Sequence, residues 1–168
     1  TFTAANWDTP QTVTVTGVND GSVVDGNQTS TVTVSVNDGS SNDSFDPLAD
    51  QTVSVTTTDN DVPGFTVAES GGSTSVNESG TTDTFTVVLN AQPTSDVLFS
   101  LTASDATESS VTTSLTFTPA NWNSAQTVTV TGVDDNIIDG TITSTLTISV
   151  VDALSDNDFD GVANQTVS

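Results

Sequence analysis

The sequence predicts an all-β protein built as an antiparallel β-sandwich. Polar Thr or Ser alternates with Val, Leu, Ile or Phe in one segment after another, as in the run QTVTVTGV at Gln11–Val18. A period of two residues places one face of a strand in a core and the other face in water. Gly, Asn, Asp and Pro separate these segments, and no window has a helical period. Short strands divided by regularly spaced turn residues are typical of a sandwich.

The predicted strands follow one another along the whole chain. Most of them have the alternation, abundant Thr and Val favour strands, and turn residues separate the segments. In chain order they are Gln11–Val18, Thr29–Val36, Gln51–Thr57, Phe65–Ala68, Ser73–Val76, Thr82–Asn90, Val97–Ala103, Leu115–Thr118, Gln126–Val133 and Thr143–Val150.

The chain repeats itself with a period of about 114 residues: TFTAANWDTPQTVTVTGV matches TFTPANWNSAQTVTVTGV, and FDPLADQTVS matches FDGVANQTVS. A domain-sized period predicts an array of like domains rather than a solenoid. We predict that residues 1–61 are the C-terminal half of one β-sandwich repeat, the first unit. Residues 62–168 are predicted to be a second β-sandwich repeat with its last strand truncated, the second unit. Either a longer protein or another chain is expected to supply the strands that complete the first unit.

The chain has 22 Asp and Glu residues and no Lys, Arg or His, so its formal net charge is −22. Nucleic acids and anionic membrane surfaces are bound through Lys and Arg, so we expect neither as a partner. No stretch approaches the ~20 apolar residues of a membrane helix, and no membrane insertion is expected. The lack of His and Cys excludes the Ser/His and Cys/His types of catalysis, and we expect no enzyme. A carboxylate-based hydrolase is a distant alternative.

Strand polarity predicts that acidic residues gather at one end of each sandwich, because upward strands end where downward strands begin. Carboxylate oxygens in number suit Ca²⁺, which takes roughly 6–8 oxygen ligands, and no His or Cys is available for zinc or copper. One such acid alone is better explained as a turn residue, but the repeated cluster favours a metal site. The predicted Ca²⁺ ligands are Glu78, Asp105, Glu108, Asp134, Asp135 and Asp139 in the second unit and Asp20, Asp25, Asp59 and Asp61 in the first.

A second acidic motif, Asp156–Gly161, resembles the start of an EF-hand loop. Val167 stands where the bidentate Glu of such a loop belongs, so the motif is predicted to be a turn without metal. Its Phe159, or Phe45 in the other copy, is predicted to pack inward, at the end of the sandwich opposite the acidic cluster.

Three stretches resemble the Calx-β type of domain: SVNESGTTDTFTVVLNAQPTSDV, SLTFTPANWNSAQTVTVTGVDDNIIDG and the closing TDND of the first unit. The chain resembles more closely still the tandem Calx-β-like repeats of very large bacterial and archaeal surface proteins, and the resemblance covers essentially the whole chain. It implies tandem immunoglobulin-like sandwiches that bind several Ca²⁺ ions where one module meets the next. Asn60 and Asn19 stand where the family pattern has acids, which implies fewer ions or weaker binding. The ligand positions that it implies are Glu78, Asp105, Asp134, Asp135, Asp139, Asp20, Asp25, Asp59 and Asp61.

Together these features predict a non-enzymatic, extracellular array at the cell surface, a spacer in an adhesin, fibre or cell coat, stiffened by Ca²⁺ at module ends. Its expected partners are neighbouring repeats of the same chain or polymer, and a glycan or protein receptor is a further candidate. One alternative is an adhesion module that binds glycans or proteins, with Trp7 and Trp122 as stacking platforms, although a packing role suits them better. Another is a salt-adapted structural domain without a specific metal.

Overall fold

The computed structural model describes residues 1–138 and 140–168, which form ten β-strands and several short 3₁₀ turns. The described residues contain no α-helix. The strands are β1 (Gln28–Val34), β2 (Gln51–Thr57), β3 (Phe65–Glu69), β4 (Thr82–Leu89), β5 (Val97–Ala103), β6 (Ser109–Val111), β7 (Ser114–Phe117), β8 (Gln126–Gly132), β9 (Leu146–Val150) and β10 (Gln165–Val167).

The strands of the second unit form two antiparallel four-stranded sheets that enclose one core. Their orders are β3-β4-β8-β6 and β10-β9-β5-β7. Only residues 112 and 113 separate β6 from β7, so the chain crosses from one sheet to the other there. The ring of Phe65 meets the ring of Phe99 edge-on across the core, with centroids 4.8 Å apart. The predicted all-β sandwich is confirmed.

The core follows from the alternation in the sequence. In β4, Phe85, Val87 and Leu89 are buried, while the residues between them are only partly buried. Each such side chain contributes roughly 1.5–3 kcal/mol when it leaves water, so the inner faces of the two sheets hold the sandwich together.

The first unit contains the hairpin β1–β2, which has the register of its counterpart β9–β10. Val32 lies opposite Val53, as Leu146 lies opposite Val167 in the matching pair. The register is therefore a property of the repeat. The burial of matching residues differs between the two units, because Val53 is 56% exposed whereas Val167 is 3% exposed.

The predicted strand Gln11–Val18 is not a strand in the structure, although its counterpart β8 is. β8 pairs with both β4 and β6, and the described part of the first unit has no equivalent of either. Val13 is consequently 72% exposed, and its counterpart Val128 is fully buried. A strand sequence without a pairing partner leaves its backbone groups to water.

The prediction of a strand at Ser73–Val76 is also wrong. The backbone N–H of Ser75 donates to the Asp83 carboxylate at 2.9 Å, so a side chain takes the place of a neighbouring strand. β6 was not predicted, because three residues are too few to show an alternation.

The two units meet where Ser22–Val24 lies beside Gln92, and we call this contact the junction. Gln92 N–H donates to the Ser22 carbonyl at 2.6 Å, and its own carbonyl accepts from Val24 N–H at 2.9 Å. Val23 and Gln92 thereby form an isolated parallel bridge. Val24 is 4% exposed and belongs to the core cluster that fills the second unit.

Candidate functional site

An acidic groove lies in the first unit at the end of the β1–β2 hairpin. Because Gln28 pairs with Thr57, the residues just before β1 and just after β2 lie side by side. This places Asp25 next to Asp59, and both line a groove of about 300 Å³ together with Asp20. The structure therefore brings together three of the four acids predicted as ligands in this unit.

Asp59 organises this groove through backbone hydrogen bonds. One carboxylate oxygen accepts from the N–H groups of Asp25 at 3.1 Å and Gly26 at 2.9 Å, and the other accepts from Asp61 N–H at 2.8 Å. Gly26 has φ of 68°, a left-handed conformation that glycine adopts without strain. The bond from Asp61, with those from Gly26 and Asp25, holds the pKa of Asp59 below its usual range despite partial desolvation.

Asp61 follows Asp59 beside the groove and, within the described part of the chain, has an unpaired carboxylate oxygen. Its Oδ2 atom is buried and has no hydrogen-bond partner among the described residues. Desolvation raises the pKa of Asp61, and the negative charges of Asp59, Asp20 and Asp25 raise it further. The charges of the groove acids therefore disfavour the ionised form of Asp61.

The second unit adds an acid to the same region. Partial desolvation raises the pKa of Asp158, followed by the charges of Asp156, Asp59 and Asp25. Asp158 thus lies close enough to the first unit to be repelled by its carboxylates. We call Asp20, Asp25, Asp59, Asp61 and Asp158 the junction acids.

The motif that contains Asp158 is a turn, as predicted. Residues Asn157–Phe159 form a 3₁₀ turn, and Phe159 is fully buried. The matching Phe45 is 56% exposed, so the inward packing occurs in the second unit alone.

The acids predicted at the other end of the second unit are brought together only in part. Glu78 and Glu108 line one groove of about 740 Å³, along with Ile137 and Ile138. Asp105 adjoins this region, because its N–H donates to Ser144, another residue that lines the groove. Hydrogen bonds from the hydroxyl and N–H of Thr107 hold the pKa of Asp105 below its usual range.

Asp134 and Asp135 do not line that groove. Asp135 instead accepts a hydrogen bond from Ile137 N–H at 2.7 Å, which is a turn role. Asp139, also predicted as a ligand, lies outside the described residues. Within residues 1–138 and 140–168, no three acidic side chains are already arranged to hold a metal ion.

Asp156, which the sequence predicts only as a turn residue, accepts four hydrogen bonds from Thr94, Ser95 and Asp158. It is 4% exposed, and one of its oxygens accepts from Thr94 N–H, Thr94 hydroxyl and Ser95 N–H, each at 2.7 Å. Burial alone would raise the pKa of Asp156, but these bonds outweigh burial and hold the pKa low. The sequence contains one sign of this role: the matching position in the first unit is Asn42, another residue that can accept a hydrogen bond from its own turn. Asn42 accepts from Ser44 N–H, as Asp156 accepts from Asp158 N–H.

The two tryptophans differ in burial, as do the other matched residues of the two units. Trp122 packs against the core of the second unit, as expected of a packing anchor, whereas Trp7 is 72% exposed.

The chain matches no protein-family model and no curated protein. The Calx-β-like assignment therefore stays a prediction that rests on the resemblance. Among the described residues, no helix has the length and apolar character needed to cross a membrane.

Proposed function

We propose that this chain is part of an extracellular structural array, a spacer in a surface adhesin, fibre or cell coat, in which Ca²⁺ stiffens the joints between units. The tandem repeat and the resemblance to Calx-β-like surface repeats support the array. The absence of Lys, Arg and His from the whole sequence supports a need for external cations.

One observation carries the calcium part of the proposal: the junction acids come from both units. Asp59 and Asp25 repel Asp158 across the joint, and Asp61 has a buried oxygen with no partner among the described residues. A divalent cation held by these acids would replace mutual repulsion with attraction to a shared charge. All available ligand atoms are oxygens, which suits Ca²⁺.

Binding to the folded form alone would stabilise it. For one site the gain is RT ln(1 + [L]/Kd), or about 2.7 kcal/mol when the free ion is at roughly 100 times its Kd. An ion between the units would also restrict their relative motion, which is the property that a spacer requires.

A salt-adapted structural domain is the second candidate. It is favoured by the finding that no three acidic side chains of the described residues are already arranged around one point. In that case monovalent cations screen the acids without occupying a site.

Calorimetric melting separates the two candidates. The chain is melted in EDTA, in micromolar Ca²⁺ and in NaCl or KCl. We expect Ca²⁺ to raise the melting temperature by several degrees, and the monovalent salts to do so only at far higher concentration. An unchanged melt between EDTA and Ca²⁺ at low salt would refute the calcium proposal.

Asp61→Asn locates the effect, and Asp8→Asn is the matched control because Asp8 is an exposed acid of the same unit. In EDTA, Asp61→Asn should melt higher than the wild type, since it removes a repelled charge. With Ca²⁺ it should gain much less than the wild type, whereas Asp8→Asn should respond fully.

A further inference from the structure

The junction uses a pair of apolar residues that is repeated in the second unit. In the first unit the sequence VVDG contains Val23 and Val24, and the matching IIDG contains Ile137 and Ile138. Val24 is 4% exposed because it reaches the core of the following unit, beside Gln92. Ile138 is fully exposed and Ile137 is 65% exposed.

No described residue of the second unit covers these two side chains. Ile138 therefore stays in water, although burying an isoleucine side chain contributes roughly 1.5–3 kcal/mol. Adjacent exposed apolar residues mark a contact surface more often than a single exposed residue does. The matching residues of the first unit show what kind of contact this loop makes.

We infer that Ile137 and Ile138 dock on a following β-sandwich repeat, at a turn equivalent to Asn90–Pro93, as Val23 and Val24 dock on Gln92. The contact combines a buried apolar side chain with two backbone hydrogen bonds to the turn. Each repeat thus has an apolar pair at one end, Val23–Val24 or Ile137–Ile138. At its other end it has the turn that binds such a pair, so that repeats join head to tail.

A second copy of this chain is not the occupant. In every copy the turn at Gln92 already holds that copy's own Val24, and the described part of the first unit has no equivalent turn. The occupant is a further repeat of the same sequence type. This inference rests on the array in the proposed function but not on its calcium.

The test lengthens the chain by one repeat. Residues 55–168 are appended after Ser168, which preserves the register because Ser168 matches Ser54. Amide hydrogen exchange is then measured in EDTA at the original and the appended Gln92. We expect both amides to be protected, and we expect Ile138→Asp at the new joint to raise exchange at the appended Gln92 at least about tenfold.

Two further variants calibrate the measurement. Asn136→Asp adds the same charge to the same loop at an exposed residue, and it should leave both amides protected. Val24→Asp should release the original Gln92 and leave the appended one protected. Ile138→Asp in the 168-residue chain should leave the melting temperature unchanged, which shows that the variant folds.

Three results would overturn the inference. The appended Gln92 could exchange freely in the wild-type sequence, or its protection could survive Ile138→Asp. Alternatively, the 168-residue chain could form a dimer in ultracentrifugation that Ile138→Asp abolishes, which would make a second copy the occupant. Because exchange is measured in EDTA, failure of the calcium melt would leave this result intact.

Discussion

At the scale of single residues, Asp156 shows how a buried acid is retained in a chain without positive side chains. Its oxygens accept bonds from Thr94, Ser95 and the N–H of Asp158, so donors rather than a counter-ion compensate its burial. These bonds connect the turn before β5 to the turn between β9 and β10. The acid therefore fixes two loops at the end of the sandwich that faces the first unit.

Asp156→Ala should lower the free energy of unfolding by about 2–4 kcal/mol, because it leaves buried N–H groups without acceptors at roughly 1–3 kcal/mol each. Urea unfolding measures the change. Asp156→Asn is the matched control, since an amide keeps one acceptor oxygen, as Asn42 does in the first unit. A loss below about 0.5 kcal/mol for the alanine variant would show that water replaces these bonds.

At the scale of elements, two nearly identical segments have different structures. Gln126–Gly132 is a strand between two neighbours, and its counterpart in the first unit has none of the pairing. Local sequence is the same in both, so the difference arises from which strands are present to pair with them.

A matched pair of substitutions tests this difference. Val128→Ala should cost about 2 kcal/mol, because it removes two buried methyl groups from a filled core, whereas Val13→Ala should cost almost nothing. Both variants are compared with the wild type by urea unfolding. Equal losses would mean that Val13 is buried in solution in the same way as its counterpart Val128.

The sequence was sufficient to predict the class of fold and most strands of the second unit, because alternation depends only on neighbouring residues. β2 and β5 have the predicted bounds. It could not predict that Gln11–Val18 would remain unpaired, because pairing depends on residues far along the chain.

The candidate site was predictable to a smaller extent. Strand polarity predicts that Glu78 and Glu108 lie at the same end of their unit, and in the structure both line one groove, as Asp25 and Asp59 line another. Strand polarity could not show that the Asp135 carboxylate accepts a hydrogen bond from Ile137 N–H in its own turn, because polarity does not determine where a side chain points. The sequence predicts Asp158 at the end of its unit opposite the acidic cluster. That this end faces the acids of the first unit follows only from the contact between the two units.

At the scale of the whole molecule, acids whose pKa values are shifted should make stability depend on pH in two opposite ways. Asp61 and Asp158 have raised pKa values, so the folded form binds protons more readily than the unfolded form at pH above 3.8. Asp59, Asp105 and Asp156 have lowered pKa values, and their contribution is lost as pH falls below 3.8.

We therefore expect the melting temperature, in EDTA at low salt, to rise as pH falls from neutral into the mildly acidic range and to drop below pH 3.8. Asp61→Asn combined with Asp158→Asn should remove most of the rise and leave the drop. Calorimetry across this pH range measures both, with Asp8→Asn as the control. A melting temperature that declines steadily from pH 7 would contradict the repulsion described at the junction.

Exposed apolar side chains of the first unit also affect how separate molecules meet in solution. Val13, Val53 and Phe45 are each more than half exposed, and exposed apolar side chains are sites at which polypeptides associate. Every charged side chain has the same sign, so two approaching copies repel each other before these surfaces touch. Dissolved salt shortens the range of that repulsion to about 8 Å at physiological ionic strength. The uniform negative charge of the chain thus also opposes association of separate molecules through these apolar side chains.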